Sequence, residues 1–351
     1  MKIALSRFYV TKRHALTISR GTSAGSENLL VEVEHEGVIG FGEMAPTSGG
    51  AVVETADTAE ADIDSWRERL EPLTPWEMQS IEAIVCGSGG HAARAALDIA
   101  LHDWQGKRLG VPLWRMFGLE RERIPATSLT IGINPPAVIR EVVPEILART
   151  GARALKVKLG NPDGIEADRA SFAAAQEAAR VGTPIAWRVD ANGGWTLETA
   201  RGMIAWLATR DVEFVEQPLP RGQERDLPEL HRNSPLPIFA DESVYVSSDI
   251  PPLSGAIDGV NLKLMKCGGM REALRIIHTA RAHGLRVMMG CMSESSLAIT
   301  AAAHLSPLAD ALDLDSHLNL RDDPFHGAEY KSGSVVPNDL PGLGVHPASR
   351  E

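Results

Sequence analysis

Ala154-Leu155-Lys156-Val157-Lys158-Leu159 opens a series of five short apolar runs, each of which finishes on or beside a charged side chain. Ile185-Ala186-Trp187-Arg188-Val189-Asp190-Ala191-Asn192 and Val212-Glu213-Phe214-Val215-Glu216-Gln217-Pro218 follow it. Pro237-Ile238-Phe239-Ala240-Asp241-Glu242-Ser243 and Gly259-Val260-Asn261-Leu262-Lys263-Leu264 complete the series. The charged ends, Lys158, Asp190, Glu216, Asp241 and Lys263, are 32, 26, 25 and 22 residues apart. Each interval holds one strand, one helix and two short loops, which is the repeat of a parallel βα barrel. In that architecture the functional groups come from the C-terminal ends of several strands, so these five charges are expected to meet at one mouth.

Working outward, Thr127-Ser128-Leu129-Thr130-Ile131-Gly132-Ile133 reads as the first strand of the barrel. Leu285-Arg286-Val287-Met288-Met289-Gly290 and Ala311-Leu312-Asp313-Leu314-Asp315 bring the strands to eight. The chain has 351 residues, and a bare barrel uses about 250, so a second unit is expected. Residues 1 to 45 show alternating strands, with Asn28-Leu29-Leu30-Val31-Glu32-Val33 and Gly40-Phe41-Gly42-Glu43 on either side of the turn His35-Glu36-Gly37. From Ala51 to Gly118 the pattern turns helical, most clearly over Ala92 to Trp104, where apolar residues recur at three and four. The fold class expected is α/β, a modified (β/α)8 TIM-like barrel with an α+β capping domain. The capping domain takes residues 1–120 and the barrel 121–325. Residues 326–351, which include Pro337, Pro341, Gly342 and Gly344 and lack helical periodicity, form a C-terminal segment packing back on the cap.

Composition narrows the function. Against 35 basic residues stand 46 acidic ones, a net charge of −11, and no basic run interrupts the chain. A nucleic-acid partner is not expected of such a surface. No stretch of about 18 apolar residues suggests a membrane span, and Met1-Lys2-Ile3-Ala4-Leu5-Ser6-Arg7 loses its apolar character too early for a signal peptide. A cytoplasmic protein acting on a small molecule, with no membrane partner, is expected; the assembly expected is a homo-oligomer. Cys86, Cys267 and Cys291 are too few and too scattered for a disulfide framework or a structural zinc site, and read as reduced and mostly buried.

Asp190, Glu216 and Asp241 at successive strand ends would repel one another in a concave site, so positive charge is expected among them. A divalent cation is the simplest source. All-oxygen ligands without His or Cys favour a hard ion, Mg2+, with Mn2+ as a substitute. Lys156 and Lys158, two apart on a strand, point to the same face, here the barrel interior. Repulsion, the metal and desolvation all disfavour their charged forms, so at least one is expected to have a lowered pKa and to serve as a base. Lys263 faces them across the barrel. Lys266, three residues on, is the rival candidate on that side, in a substrate-binding or supporting role. Asn192 points the same way as Asp190 and is a candidate for orienting a ligand.

With these residues in place, the chain resembles the enolase superfamily, in the muconate-lactonizing subgroup with Lys-x-Lys on the second barrel strand. The resemblance runs through Ala95-Ala96-Leu97-Asp98-Ile99-Ala100 with Pro112-Leu113 beyond it, Asn261-Leu262-Lys263-Leu264-Met265-Lys266-Cys267-Gly268-Gly269, and Pro341-Gly342-Leu343-Gly344. Asp313-Leu314-Asp315 is similar to the dipeptide epimerases, including L-Ala-D/L-Glu epimerase, in which the paired acids hold the α-ammonium of the substrate. The resemblance implies Mg2+ on Asp190, Glu216 and Asp241 binding the C-terminal carboxylate of a dipeptide. Lys158 and Lys263 then exchange the α-proton through an enediolate, with Lys156 beside them in the catalytic and substrate-binding set. At the position where the Ala-Glu enzymes carry an Arg for the Glu side chain, this chain aligns Ser23, with Arg20 about one turn earlier. That leaves the second residue of the dipeptide open to a small, apolar or cationic side chain. Glu294 after the seventh strand either binds such a cation or serves as a supporting hydrogen-bond acceptor. The same lysines and metal would serve N-acyl amino acid racemisation, muconate cycloisomerisation or o-succinylbenzoate synthesis, against which Asp313 and Asp315 weigh by disfavouring an anionic substrate end. A Schiff-base aldolase barrel would need no carboxylate triad. A barrel kept only as a binding protein would need none of the six site positions.

Overall fold

A computed structural model describes residues 1–47, 53–180 and 184–348. Ala51, the expected start of the helical stretch, and the last three residues of the C-terminal segment lie outside them. The chain opens with three antiparallel strands, β1 (Lys2–Ile18), β2 (Gly21–His35) and β3 (Val38–Met44). Glu36 and Gly37 join β2 to β3 with φ of 50° and 74°, the double positive φ of a type I′ hairpin. Helices α1 (Ala56–Leu70), α2 (Met78–Val85), α3 (His91–Leu109) and α4 (Leu113–Met116) follow. The backbone of α3 lies directly on β3 because Gly40 and Gly42 present no side chain. A Cβ at either would collide with the carbonyl oxygens of Ala100 and Ala96.

Eight parallel strands come next, in one sheet whose order follows the chain: β4 (Ser128–Ile131), β5 (Ala154–Lys158), β6 (Ala186–Asp190), β7 (Val212–Glu216), β8 (Ile238–Ala240), β9 (Gly259–Leu262), β10 (Arg286–Gly290) and β11 (Ala311–Asp313). The ring closes where Thr127 bridges Leu312 and Ser128 Oγ donates to Leu312 O at 3.1 Å. Helices α5 (Pro136–Thr150), α6 (Ile165–Ala178), α7 (Leu197–Ala208) and α8 (Leu227–Arg232) follow β4, β5, β6 and β7 in turn. Helices α9 (Leu264–Cys267), α10 (Met270–Ala282) and α11 (Ser296–Leu305) follow β9 and β10. After β8 the described chain forms only short 3-10 turns, Ser247–Asp249 and Pro251–Leu253, where the two adjacent prolines lack the N–H groups an α-helix needs.

The ladders are shorter than the apolar runs, because the last residue or two of each run leaves the sheet at the mouth. Asn192 and Gln217 make that exit with φ of 43° and 37°. Register places the charged ends in one layer: Lys158 lies opposite Asp190, and Asp190 opposite Glu216. At the other end the barrel is plugged by Phe214, Phe239, Met288 and Ala311, with the two rings 4.4 Å apart between centroids.

Past β11 come β12 (Phe325–His326), β13 (Glu329–Lys331), β14 (Ser334–Val336) and β15 (His346–Pro347). The tail reaches the cap through Asp103 of α3, which accepts from Leu343 N at 2.7 Å and from Phe41 N at 2.8 Å. A buried Glu43 on β3 accepts from Asn28 Nδ2, Ser295 N and Ala298 N, and so fastens the cap sheet to the N-terminus of α11. No described helix is long and apolar enough to cross a membrane. Of the cysteines Cys267 alone is buried; Cys291 is half-buried and Cys86 exposed, against the expectation that most are interior.

Candidate active site

One oxygen each of Asp190, Glu216 and Asp241 lies within 4.8 Å of the others, with the residues 0, 0 and 2 % exposed. The positive charge among them is already in the chain. Lys158 Nζ stands 2.5 Å from Asp190, Lys156 Nζ 3.0 Å from Glu216, and Lys263 Nζ 2.8 Å from Asp241. Lys266 donates to Asp241 Oδ1 at 2.5 Å and also to the carbonyls of Asp241, Val244 and Asn261. Repulsion therefore does not by itself demand a metal, contrary to the expectation from the sequence. The donor set does fit one: three convergent carboxylates, without His or Cys, suit Mg2+ and leave coordination positions for water and substrate oxygens. Lys266, with its donors committed to Asp241 and backbone carbonyls, fixes the orientation of that carboxylate.

The lysine electrostatics differ from expectation. Lys156 is fully buried, and its ammonium faces Asp313, Glu216 and Asp190. Burial disfavours its charge, but these carboxylates prevail and hold its pKa well above the ordinary value. Lys263 is likewise raised, burial being outweighed by Asp241 and Glu216. Of the pair in which repulsion, the metal and desolvation were expected to lower at least one pKa, Lys156 goes the other way, because three carboxylates of the layer face it. Burial and the neighbouring Asp190 push Glu216 up to about 7. Asp241 is held well below its ordinary value, because Lys263 and Lys266 overcome its burial.

Above this layer a cavity of about 690 Å3 opens between the barrel and the β1–β2 hairpin. Lys158, Lys263, Asp241, Asp313 and Asp315 line it, whereas Lys156 lies beneath its floor. Asp313 accepts from Ser128 Oγ at 2.8 Å and pairs with Lys156. Asp315 precedes the turn Ser316–Asn319 without capping it, and accepts instead from Thr130 N at 2.6 Å. Burial and Asp313 raise Asp315 to about 6. Asn192 lines the cavity and donates to Asp190 Oδ2 and Glu242 Oε1. Ser23 is on the wall, bonded to Lys12. Glu294 is not among the described lining residues. It is 1 % exposed, accepts from Met292 N at 2.8 Å, and is raised to about 8 by burial, so it shapes the wall from behind.

Three further residues belong to the site, and the sequence assigns a role to none of them. Arg20, about one turn before Ser23, reaches the wall and pairs with Glu242 at 2.7 Å while donating to Asn192 O at 2.9 Å. Glu242 follows Asp241 directly, so adjacency to a candidate ligand was its signal. Lys12 had none, because its place depends on where β1 crosses the mouth.

Comparison with known proteins agrees with this architecture. The family model for the mandelate racemase / muconate lactonizing enzyme N-terminal domain matches residues 3–118, and the enolase C-terminal domain-like model matches residues 139–351. The chain is 50% identical to a hydrophobic dipeptide epimerase of Roseobacter litoralis, over 98% of both chains. It is 39% identical to an L-Ala-D/L-Glu epimerase of Bacteroides thetaiotaomicron, over 98% of this chain and 88% of that one. A crystal structure of a dipeptide epimerase from Enterococcus faecalis, complexed with Mg and L-Leu-L-Tyr, superposes with a TM-score of 0.90 at 32% identity over 98% of each chain. With acids and lysines on the barrel strands as this architecture requires, the chain belongs to the mandelate racemase / muconate lactonizing enzyme family of the enolase superfamily, and it is an isomerase.

Proposed function

We propose that this isomerase epimerises the C-terminal residue of a dipeptide, with Lys158 and Lys263 removing the α-proton from one face and returning it to the other. The observation that carries the reading is their placement. β5 and the end of β9 are four strands apart in a ring of eight, so the two ammonium groups enter the cavity from opposite sides with the carboxylate triad between them. An amine base on one face of a carbon and an ammonium acid on the other is what inversion by proton transfer needs. In this reading Asp313 and Asp315, on the eighth strand, hold the α-ammonium of the dipeptide, and Lys156 holds Asp313 in place from below. Asp190, Glu216 and Asp241 would hold Mg2+, which would supply positive charge to the substrate carboxylate. Lys266 keeps Asp241 oriented, and the hairpin carrying Arg20 and Ser23 excludes water. One of the two lysines, as the neutral amine, takes the α-proton to leave an enediolate, and the other, as the ammonium, delivers its own proton to the opposite face of the carbon.

The test is a panel of L,L-dipeptides in D2O with Mg2+, followed by mass spectrometry. Deuterium is expected at the α-carbon of the C-terminal residue, with rates reduced a hundredfold or more, by order of magnitude, in Lys158→Ala and Lys263→Ala. No exchange into any dipeptide, with exchange into N-acyl amino acids, overturns the reading.

A further inference from the structure

Lys12 sits on β1 where that strand crosses the front of the barrel mouth, and it lines the cavity while only 7 % exposed. Its ammonium donates to Ser23 Oγ at 3.0 Å, and Ser23 passes its own hydroxyl hydrogen to Gly25 O at 2.9 Å. Among the described residues nothing else accepts from Lys12, and no carboxylate pairs with it. An ammonium carries three donors. Lys156, Lys158, Lys263 and Lys266 each face a buried carboxylate, so Lys12 differs from every other lysine of the site. Burial lowers its pKa, with only partial compensation from Cys291 and Asp315. A buried polar group short of partners is unfavourable in isolation, and at a cavity surface a ligand can supply the missing acceptor.

The position of Lys12 identifies which part of a substrate it meets. Its backbone bridges Leu320, and Arg321 N donates to Thr11 O at 2.8 Å, so Lys12 is tied to the segment that follows Asp315. The triad side of the cavity is served by a different cation, Arg20, through Glu242 and Asn192. We propose that Lys12 is a specificity-determining residue that donates to a carboxylate or carboxamide on the side chain of the dipeptide's first residue, the residue whose α-ammonium Asp313 and Asp315 hold. The inference rests on the dipeptide reading above and adds a substrate class to it.

The experiment compares kcat/KM for L-Glu-L-Ala and L-Gln-L-Ala with that for L-Met-L-Ala, which has a side chain of similar length and no strong acceptor. The wild-type enzyme is expected to favour the acceptor-bearing pair by on the order of tenfold. Lys12→Met should bring the ratio towards one, and Lys12→Arg should keep it well above one. A wild-type ratio at or below one overturns the inference without recourse to any variant, and so does a ratio that survives in Lys12→Met. A preference for Glu or Gln at the second residue alone also overturns it. Absence of exchange from every dipeptide overturns the dipeptide reading instead, and the inference with it.

Discussion

Lys156 and His304 are both buried, and their surroundings settle them in opposite charge states. Lys156 keeps its proton because three carboxylates face it. His304 stays neutral: Trp114 N donates to Nδ1 at 3.0 Å, which leaves Nε2 to donate to Leu343 O at 3.0 Å, and burial brings its pKa down to about 4. The unfolded chain takes up the imidazole proton near pH 6.5. The folded protein resists it, so the contribution of His304 to stability is complete above about pH 6.5 and is lost as pH falls through the folded value. Over that window the loss is about 3 kcal/mol, from roughly 2.5 pH units at 1.36 kcal/mol each. Denaturant unfolding of wild type and His304→Gln between pH 7 and 4 checks this. The gap between the two should narrow by about that amount towards acid, and a constant gap would refute it. Nothing in the sequence distinguished His304 from the surface histidines, because its state depends on a tail residue 39 positions away.

The β1–β2 hairpin is the element on which the site depends from outside the barrel. Its tip is fastened by Ser19 Oγ and Arg20 Nη1, both donating to Asn192 O, and by the pairing of Arg20 with Glu242. Glu242 directly follows Asp241 and Asn192 lies two residues after Asp190, so the placement of the hairpin and order at the triad are linked. Arg20→Ala should raise KM for the substrate by roughly tenfold, the worth of one charge-assisted hydrogen bond, with a smaller effect on kcat. Arg20→Lys should recover part of the loss. Steady-state kinetics with both variants checks this, and an unchanged KM in Arg20→Ala would show that the contact does not hold the hairpin over the substrate. The barrel strands were legible as elements because each is a short apolar run with a charged end. The hairpin's role was not, since β1 and β2 alternate in a way that fits any antiparallel pair, and their length over the mouth depends on the register shift between Thr11 and Leu16.

At the scale of the whole molecule the cap, the barrel and the tail share one core, and the site lies where the cap meets the barrel mouth. A metal bound by strands β6, β7 and the end of β8 would tie three parts of the ring together and stabilise the native state by mass action. Mg2+ at a hundredfold excess over its Kd should therefore raise the unfolding free energy by about 2.7 kcal/mol. Thermal melts with Mg2+ and with chelator check this, the shift being absent in Asp190→Asn. An equal melting temperature in both conditions for wild type would argue against a triad-bound ion. The order of strands, the identity of Asp190, Glu216, Asp241, Lys158 and Lys263, and their arrival at a common mouth were determined by the sequence alone, because a βα repeat leaves charged strand ends only one place to go. The tertiary structure decided what those charges do to one another. Ion pairs with carboxylates raised the pKa of Lys156, against the lowering expected within its pair, and Glu294 moved behind the wall. It also carried Arg20 and Lys12 from a distant hairpin into the cavity. Each of these depends on distances between segments far apart in the chain, and electrostatic energy in a buried site varies steeply with such distances.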